Sequence, residues 1–434
     1  MRIENEISKK LLDGKNIFLT GGAGVGKTYT TNEIIKIYAT ENLKVIKLAS
    51  TAMAATHIGG QTLHSFFRFG ISANIYDLQD NGKYEIDSSL KKLLQSSDLI
   101  IIDEVSMVSS GVMEMIRLRL MQSLYEGSIL VVGDFLQLPP VIKRKDIDDF
   151  EKLHPMIDSS KIFGFAFESD SWDLLEFENY ELTDVHRTDN DSFMLVLNDI
   201  RHGHFRQKHA NYLLNIMKEP DEEVEYTWLY ARNDEVAFHN EKSLKELDEK
   251  SFSIDAEIET KIRGVKDEEI EKFCNESKIS QSLILKKNAP VLFTRNSWNY
   301  YNGQKGHVVE FDEEKDILYI KDEEGRKLKV ERESFERKEY IEESRDGETV
   351  LVQRNRIVLK QFPIVLGYAL TIHKSQGMSL ADLVIDARKI FAPSQFYVAL
   401  SRAISPYRLI LVADMNKLSR LIHAERKALE FYAK

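Results

Sequence analysis

The 434-residue chain predicts an α/β fold of two parallel-sheet lobes. Three observations carry that expectation. Short apolar segments alternate with helical stretches through the first part of the chain, the first segment runs directly into a glycine-rich loop, and the same rhythm restarts near Trp228. Ile17-Phe18-Leu19-Thr20 is followed by Gly21-Gly22-Ala23-Gly24-Val25-Gly26-Lys27-Thr28, the pattern G-x-x-x-x-G-K-[ST] between a strand and a helix. Gly22, Gly24, Val25 and Gly26 bring successive backbone N–H groups onto phosphate oxygens. Lys27 reaches the β/γ-phosphates, Thr28 can hold Mg²⁺, and Tyr29 opens the helical stretch whose positive end faces the anion.

The other first-lobe strands are expected at Val45–Leu48, Leu99–Ile102 and Ile129–Val132. The polar stretch Phe69–Glu85 interrupts them, and its Asn81-Gly82 pair reads as the turn of a small inserted hairpin. Residues 1–185 form the first lobe with the insertion at 69–85, and residues 186–434 form the second. Trp228–Tyr230, Ile364–Leu366, Leu383–Ile385 and Arg408–Val412 are expected in the second sheet. Pro290 to Gln361 reads as an inserted β module, about residues 291–361, with strands near Val291–Phe293, Gly306–Glu310, Ile317–Ile320, Lys327–Val330 and Thr349–Val352. Glu331 to Asp346, dense in mixed charge, reads as a solvated loop or strand edge.

Hydrophobic residues make up 43% and charged residues 30%, ordinary for a globular protein. A net charge of −11 argues against non-specific coating of nucleic acid but leaves room for a local basic track. The single cysteine, Cys274, leaves no disulfide framework and suits a reducing compartment. Met1 to Lys10 is polar and charged, unlike a signal peptide, and the apolar runs are too short to span a bilayer, so a cytoplasmic protein without a membrane partner is expected.

Two further strands end in chemistry. Leu99-Ile100-Ile101-Ile102 runs into Asp103-Glu104. Downstream of a phosphate loop, the first carboxylate suits Mg²⁺, directly or through water, and the second suits the general base that polarises the attacking water. Ile129-Leu130-Val131-Val132 runs into Gly133-Asp134-Phe135-Leu136-Gln137-Leu138-Pro139-Pro140, where Gln137 is suited to sense a γ-phosphate or orient water.

The ordered set GGAGVGKT, ASTAMAATHIGGQTLHSFF, IIIDEVSM, VVGDFLQLPPV, LTDVHR, GYALTIHKSQGMSL and QFYVALSRA resembles the superfamily 1B DNA helicases. Within them the chain most resembles the Pif-one (petite integration frequency) family, with RecD-like and Dda-like enzymes as neighbours. FMLVLNDIRHG, from Phe193 to Gly203, is similar to that family's own signature, and the turn Asn302 to Gly306 to the start of its SH3-like module. The likeness runs from Asn16 to about Ala413.

The resemblance implies two RecA-like P-loop lobes, with a small hairpin insertion (1B) in the first as the pin that splits a duplex and an SH3-like β insertion (2B) in the second. It implies an ATP- and Mg²⁺-dependent helicase translocating 5′ to 3′ on single-stranded DNA, acting at single-strand/double-strand junctions in replication, repair or recombination, within a family that also maintains telomeres, and monomeric in the unliganded state. Arg187 and Arg402 match the arginines that reach the nucleotide from the second lobe, and Gln376 and Gly377 the element coupling phosphates to DNA. Thr62 and His64 match first-lobe DNA contacts, and Thr371, His373, Lys374 and Ser375 those of the second lobe. Phe66 and Phe67 read as core rather than stacking groups, while Trp298, Tyr300 and Tyr301 suit either role. The family often reads adenine with a glutamine ahead of the phosphate loop. Here none precedes Gln61, which leaves either Asn5 or another polar group as a substitute, or loose base selectivity. Three rival readings are a RecD-like subunit of a recombination complex, a DNA-stimulated ATPase switch that does not unwind, and a nucleotide kinase, which would need neither His373-Lys374 nor the second lobe.

Overall fold

The computed structural model describes all residues except 1, 52–53, 56–57, 71, 143, 184–190, 261–263, 277–278, 346–347 and 434. The chain divides into two compact units. The first contains Met1–His186, Arg337–Arg356 and Glu430–Lys434, and the second Arg187–Glu336 and Ile357–Leu429.

The first unit is built on a six-stranded sheet in the order β3-β2-β4-β5-β1-β6, every neighbouring pair parallel. The strands are β1 (Ile17–Gly21), β2 (Val45–Ala49), β3 (Gln61–Thr62), β4 (Leu99–Asp103), β5 (Ser128–Val132) and β6 (Glu178–Leu182). The three central strands β4, β5 and β1 are near-continuous apolar runs because helices cover both faces of a parallel sheet. One face packs Ile17, Leu19, Leu99, Ile101, Leu130 and Val132 against Ile7 and Leu11 of the helix Ile3–Leu12 and Ile34 and Tyr38 of the helix Lys27–Thr40.

The expected hairpin at Phe69–Glu85 is not formed, since no strand lies there among the described residues. Asn74 instead caps a short helix, Ile75–Asp80, by accepting from the Asp77 N–H. Asn81-Gly82 ends that helix: Gly82 takes φ +63°, Lys83 N–H donates to Leu78 O at 2.8 Å and Gly82 N–H to Gln79 O at 3.0 Å. This is a Schellman closure, which needs the same left-handed glycine that a hairpin turn would use.

The second unit holds a parallel four-stranded sheet in the order β18-β7-β19-β20: β7 (Thr227–Tyr230), β18 (Ala369–Thr371), β19 (Leu383–Asp386) and β20 (Leu409–Val412). Ile364–Leu366 is not part of it. That segment is β17, which pairs antiparallel with β11 (Pro290–Phe293) and closes the sheet β14-β13-β12-β11-β17. The other members are β12 (Lys305–Asp312), β13 (Ile317–Asp322) and β14 (Lys327–Val330), and Val291, Phe293, Val308, Leu318, Ile320, Val330 and Ile364 fill their core. The place expected for Ile364–Leu366 is taken by Ala369–Thr371, one turn later. Glu333–Arg345 (β15) is a strand, ordered with β16 (Glu348–Gln361) and β9 (Glu257–Thr260). A further pair, β8 (Ser251–Asp255) and β10 (Ser282–Lys286), precedes the module. Among the described residues, no helix is long and apolar enough to cross a membrane.

Candidate functional site

Gly21, Asp103 and Gly133 all stand at or just beyond the C-terminal ends of parallel strands, β1, β4 and β5 respectively. That is the edge at which open parallel sheets bind ligands. β1 leads through the glycine loop to Gly26, which caps the helix Lys27–Thr40 in the left-handed region at φ +89°. The first turn of that helix leaves its N–H groups and positive dipole end for an anion. Lys27 Nζ lies 2.7 Å from Gly21 O and 2.8 Å from Gly22 O, so the ammonium is folded over the loop. Gly22, Gly24 and Gly26 are half-buried, the Val25 side chain is buried, and Thr28 and Tyr29 are exposed.

At the end of β4, Asp103 Oδ1 accepts the Glu104 N–H at 2.8 Å. Burial, and then the adjacent Glu104 charge, push the Asp103 carboxyl well above the ordinary carboxylate range, against the pull of Lys27. Glu104 steps into the left-handed region at φ +54°, ψ +46°, turning off the strand direction, and Ser50 Oγ holds its carbonyl at 2.8 Å. A non-glycine residue there is a local strain of the kind that collects at reactive sites. The hydroxyl of Thr28 and the carboxylate of Asp103 are hard oxygen donors of the type Mg²⁺ takes alongside phosphate oxygens.

After β5, Asp134 organises a tight turn. Its Oδ1 accepts the Leu136 N–H at 3.1 Å and its carbonyl accepts the Gln137 N–H at 2.9 Å. The Gln137 amide, 7% exposed, leans on Asp134 Oδ2 at 3.5 Å.

Thr62 caps the helix Leu63–Phe66 by accepting from Ser65 N–H. His64 is half-buried, edge-on to Phe69 at 5.8 Å, and Phe66 and Phe67 are core. In the second unit Thr371 and Ser375 are buried: Thr371 Oγ1 accepts the Lys374 N–H at 3.1 Å, and Ser375 Oγ donates to Ile372 O at 2.8 Å. These two hydroxyls shape the turn that leaves Lys374 exposed and His373 and Gln376 half-buried, with Gly377 exposed at φ +82°. Arg402 is 2% exposed, its Nε donating to Val398 O at 3.0 Å and its Nη2 to Ser401 Oγ at 2.8 Å. Arg187 lies outside the described residues. Trp298 is 92% exposed and Tyr301 is exposed, whereas Tyr300 is core, stacked on Phe293 at 4.1 Å with its hydroxyl on Glu333. Asn5 is exposed on its helix.

A family model described as PIF1-like helicase matches residues 2–211. The ATP-dependent DNA helicase Pif1 of Campylobacter jejuni is 37% identical over 98% of this chain and 96% of its own length. The chain belongs to the PIF1-like helicase family. Two solved structures of Bacteroides Pif1, each 27% identical and each matched over all of this chain, resemble the fold. The complex with ADP-AlF4 gives a TM-score of 0.82 over 96% of that protein, and the form bound to single-stranded DNA gives 0.66 over 97%.

Two groups in this PIF1-like chain escaped sequence reasoning. Arg119, on the helix Ser110–Ser123, is buried and donates to the carbonyls of Phe67, Lys83 and Tyr84, fastening the segment after His64 to the far end of the insertion. Tyr432, near the C-terminus, hydrogen-bonds beside the phosphate loop. Neither sits in a local pattern. An arginine on a mostly apolar helix face was the one available signal for the first.

Proposed function

We propose that this chain is an ATP- and Mg²⁺-dependent DNA helicase that moves 5′ to 3′ on single-stranded DNA and separates duplexes at single-strand/double-strand junctions. The observation that carries the reading is the near full-length match to the Campylobacter ATP-dependent DNA helicase, with the glycine loop, Asp103-Glu104 and Gln137 on the ligand-binding edge of one parallel sheet. The polarity comes from the family resemblance.

The glycine loop, with Gly22, Gly24, Val25 and Gly26, cradles the phosphates through backbone N–H groups, and Tyr29 flanks the nucleotide at the helix start. Lys27 offsets charge on the β/γ-phosphates. Thr28 and Asp103 would hold a magnesium ion, which would supply neutralisation of phosphate charge there. Glu104 takes the proton of the attacking water, and Gln137 orients that water. Arg187 and Arg402 stabilise charge on the transferring phosphoryl group, and Gln376 and Gly377 link phosphate contacts to the DNA turn. Thr62 and His64 bind the strand in the first unit. In the second, Thr371, His373, Lys374 and Ser375 bind it, the Thr371 and Ser375 hydroxyls also setting the turn that carries them. The protein acts as a cytoplasmic monomer before DNA is added.

Strand displacement on duplexes bearing only a 5′ or only a 3′ single-stranded tail tests the reading. Release of the displaced strand from the 5′-tailed substrate alone, dependent on ATP and Mg²⁺, is the expected result. DNA-stimulated hydrolysis without strand release would make the chain a switch ATPase instead.

A further inference from the structure

We propose that the C-terminal pair Phe431-Tyr432 positions the ATPase site, with the Tyr432 hydroxyl joining the end of the strand before the phosphate loop to the turn that carries Gln137. The proposal rests on the assignment of Gly21–Thr28 and Gln137 as the nucleotide site.

The last residues, Glu430–Lys434, group with the first unit. There Phe431 enters a cage of rings, stacked on Phe167 at 4.5 Å and lying 5.3 Å from Phe135, 5.9 Å from Trp172 and 6.0 Å from Phe18. Phe18 belongs to β1 and Phe135 to the turn after β5, so the ring packs on both elements that lead into the site. Such aromatic packing fixes the backbone bearing the next side chain.

Tyr432 Oη lies 2.7 Å from Thr20 Oγ1 and accepts the Phe135 N–H at 3.1 Å. Thr20 immediately precedes Gly21, whose carbonyl holds Lys27 Nζ. Phe135 lies between Asp134 and Gln137. The turn satisfies two of its three successive N–H groups internally, since those of Leu136 and Gln137 both donate to Asp134. The third, on fully buried Phe135, goes to Tyr432. A phenol hydroxyl has one donor and two acceptor sites, enough to hold both partners at once. It thus sets the spacing between the loop that binds phosphate and the turn that orients water, while touching neither ligand.

Tyr432→Phe keeps the ring and removes the link. Steady-state hydrolysis at saturating single-stranded DNA should lose about tenfold in kcat, less than the 10²-fold that a 1 Å misplacement can cost, with KM for ATP and the thermal midpoint little changed. Thr20→Val should lower kcat through the same hydroxyl, so the double variant should fall well short of the product of the two single losses. An unchanged kcat in Tyr432→Phe, or a loss explained by a lowered thermal midpoint, overturns the proposal, as does full multiplicativity with Thr20→Val. Lys27→Ala separates this failure from that of the site reading. If Lys27→Ala hydrolyses ATP normally, the site assignment itself falls and takes the proposal with it. If Lys27→Ala is inactive while Tyr432→Phe is normal, only the positioning role falls.

Discussion

Replacing Arg119 by methionine should loosen the insertion between Phe69 and Glu85 without touching the nucleotide residues. The guanidinium donates to Phe67 O at 3.3 Å, to Tyr84 O at 2.6 Å, to Gln122 Oε1 at 2.9 Å and to Lys83 O at 2.5 Å. Burial pulls its pKa down, and the nearby Asp87 and Glu85 carboxylates oppose that pull. Methionine fills much of the volume but donates nothing. Phe67 is buried, so its carbonyl stands to lose its partner outright, at about 1–3 kcal/mol. Tyr84 O keeps a bond from Gln122 Nε2 at 3.0 Å, and exposed Lys83 exchanges its bond for water, so these two add about 1 kcal/mol each. Relief of charge burial offsets part of the sum, leaving a net loss of about 2–4 kcal/mol. For a unit of this size that lowers the thermal midpoint by roughly 4–16 °C. Thermal unfolding followed by circular dichroism measures the shift, and tryptic cleavage after Lys83 should speed up in parallel. Arg119→Lys should be intermediate, because one ammonium cannot fork to three carbonyls. An unchanged midpoint together with unchanged cleavage at Lys83 would refute the assignment of Arg119 as the fastener.

Glu104→Gln keeps the side-chain shape and should retain ATP and DNA binding while losing turnover; lost ATP affinity with normal turnover per bound nucleotide would make Glu104 structural. Arg402→Ala should lower DNA-stimulated turnover by roughly 10³–10⁵-fold while DNA binding without nucleotide survives, and an unchanged stimulated rate would remove Arg402 from the nucleotide. With net charge −11, DNA affinity must come from a few placed groups, so a salt titration should give a log–log slope of roughly −2 to −3. His373→Ala combined with Lys374→Ala should abolish DNA stimulation but keep basal hydrolysis, and full stimulation in that variant would place the strand elsewhere. Lys208 chiefly, with His209, holds the Asp199 carboxyl down to about 2 against burial. Its folded pKa is thus below its unfolded one, so its stabilisation, at most about 2 kcal/mol, is present above about pH 4 and fades as pH falls toward 2. Urea unfolding of wild type against Asp199→Asn should show a gap that narrows from pH 6 to acid, and a gap independent of pH would contradict this.

The phosphate loop and the strands β1, β2, β4 and β5 were legible because their signals are local: an apolar run, then glycine or carboxylate at its end. Strand order was not, since the adjacency of β4 and β2 depends on crossovers that no short window records. Ile364–Leu366 misled for a related reason. A three-residue apolar run reports burial but not which sheet buries it, and only its antiparallel register with Val291–Phe293 settles that. Asn81-Gly82 misled because hairpin turns and helix ends ask for the same positive φ; the cap at Asn74 was the discriminating clue. The hydroxyls of Thr371 and Ser375 were found by motif, yet their inward direction is a matter of turn geometry. Tyr432 lies 297 residues from Phe135 in the chain, beyond the reach of any pattern.

The root of the β module has a consequence for how such a chain can grow. Gly367 N–H donates to Pro290 O at 2.8 Å, so the strand that opens the module and the residue that leaves it are clasped together. Directly beyond, Asn240 serves β18 as a substitute neighbour: its Oδ1 accepts the Ala369 N–H at 2.9 Å and its Nδ2 donates to Ala369 O at 3.1 Å. Thr227 Oγ1 fixes the Gly367 carbonyl from the adjoining strand. Departure and return share one doorway, and its frame is tied to the parallel sheet through Asn240 and Thr227. Residues can therefore be added to or removed from the module's distal loops without shifting the register of β18 on β7, which leaves the module free to diversify while the sheet behind it stays fixed.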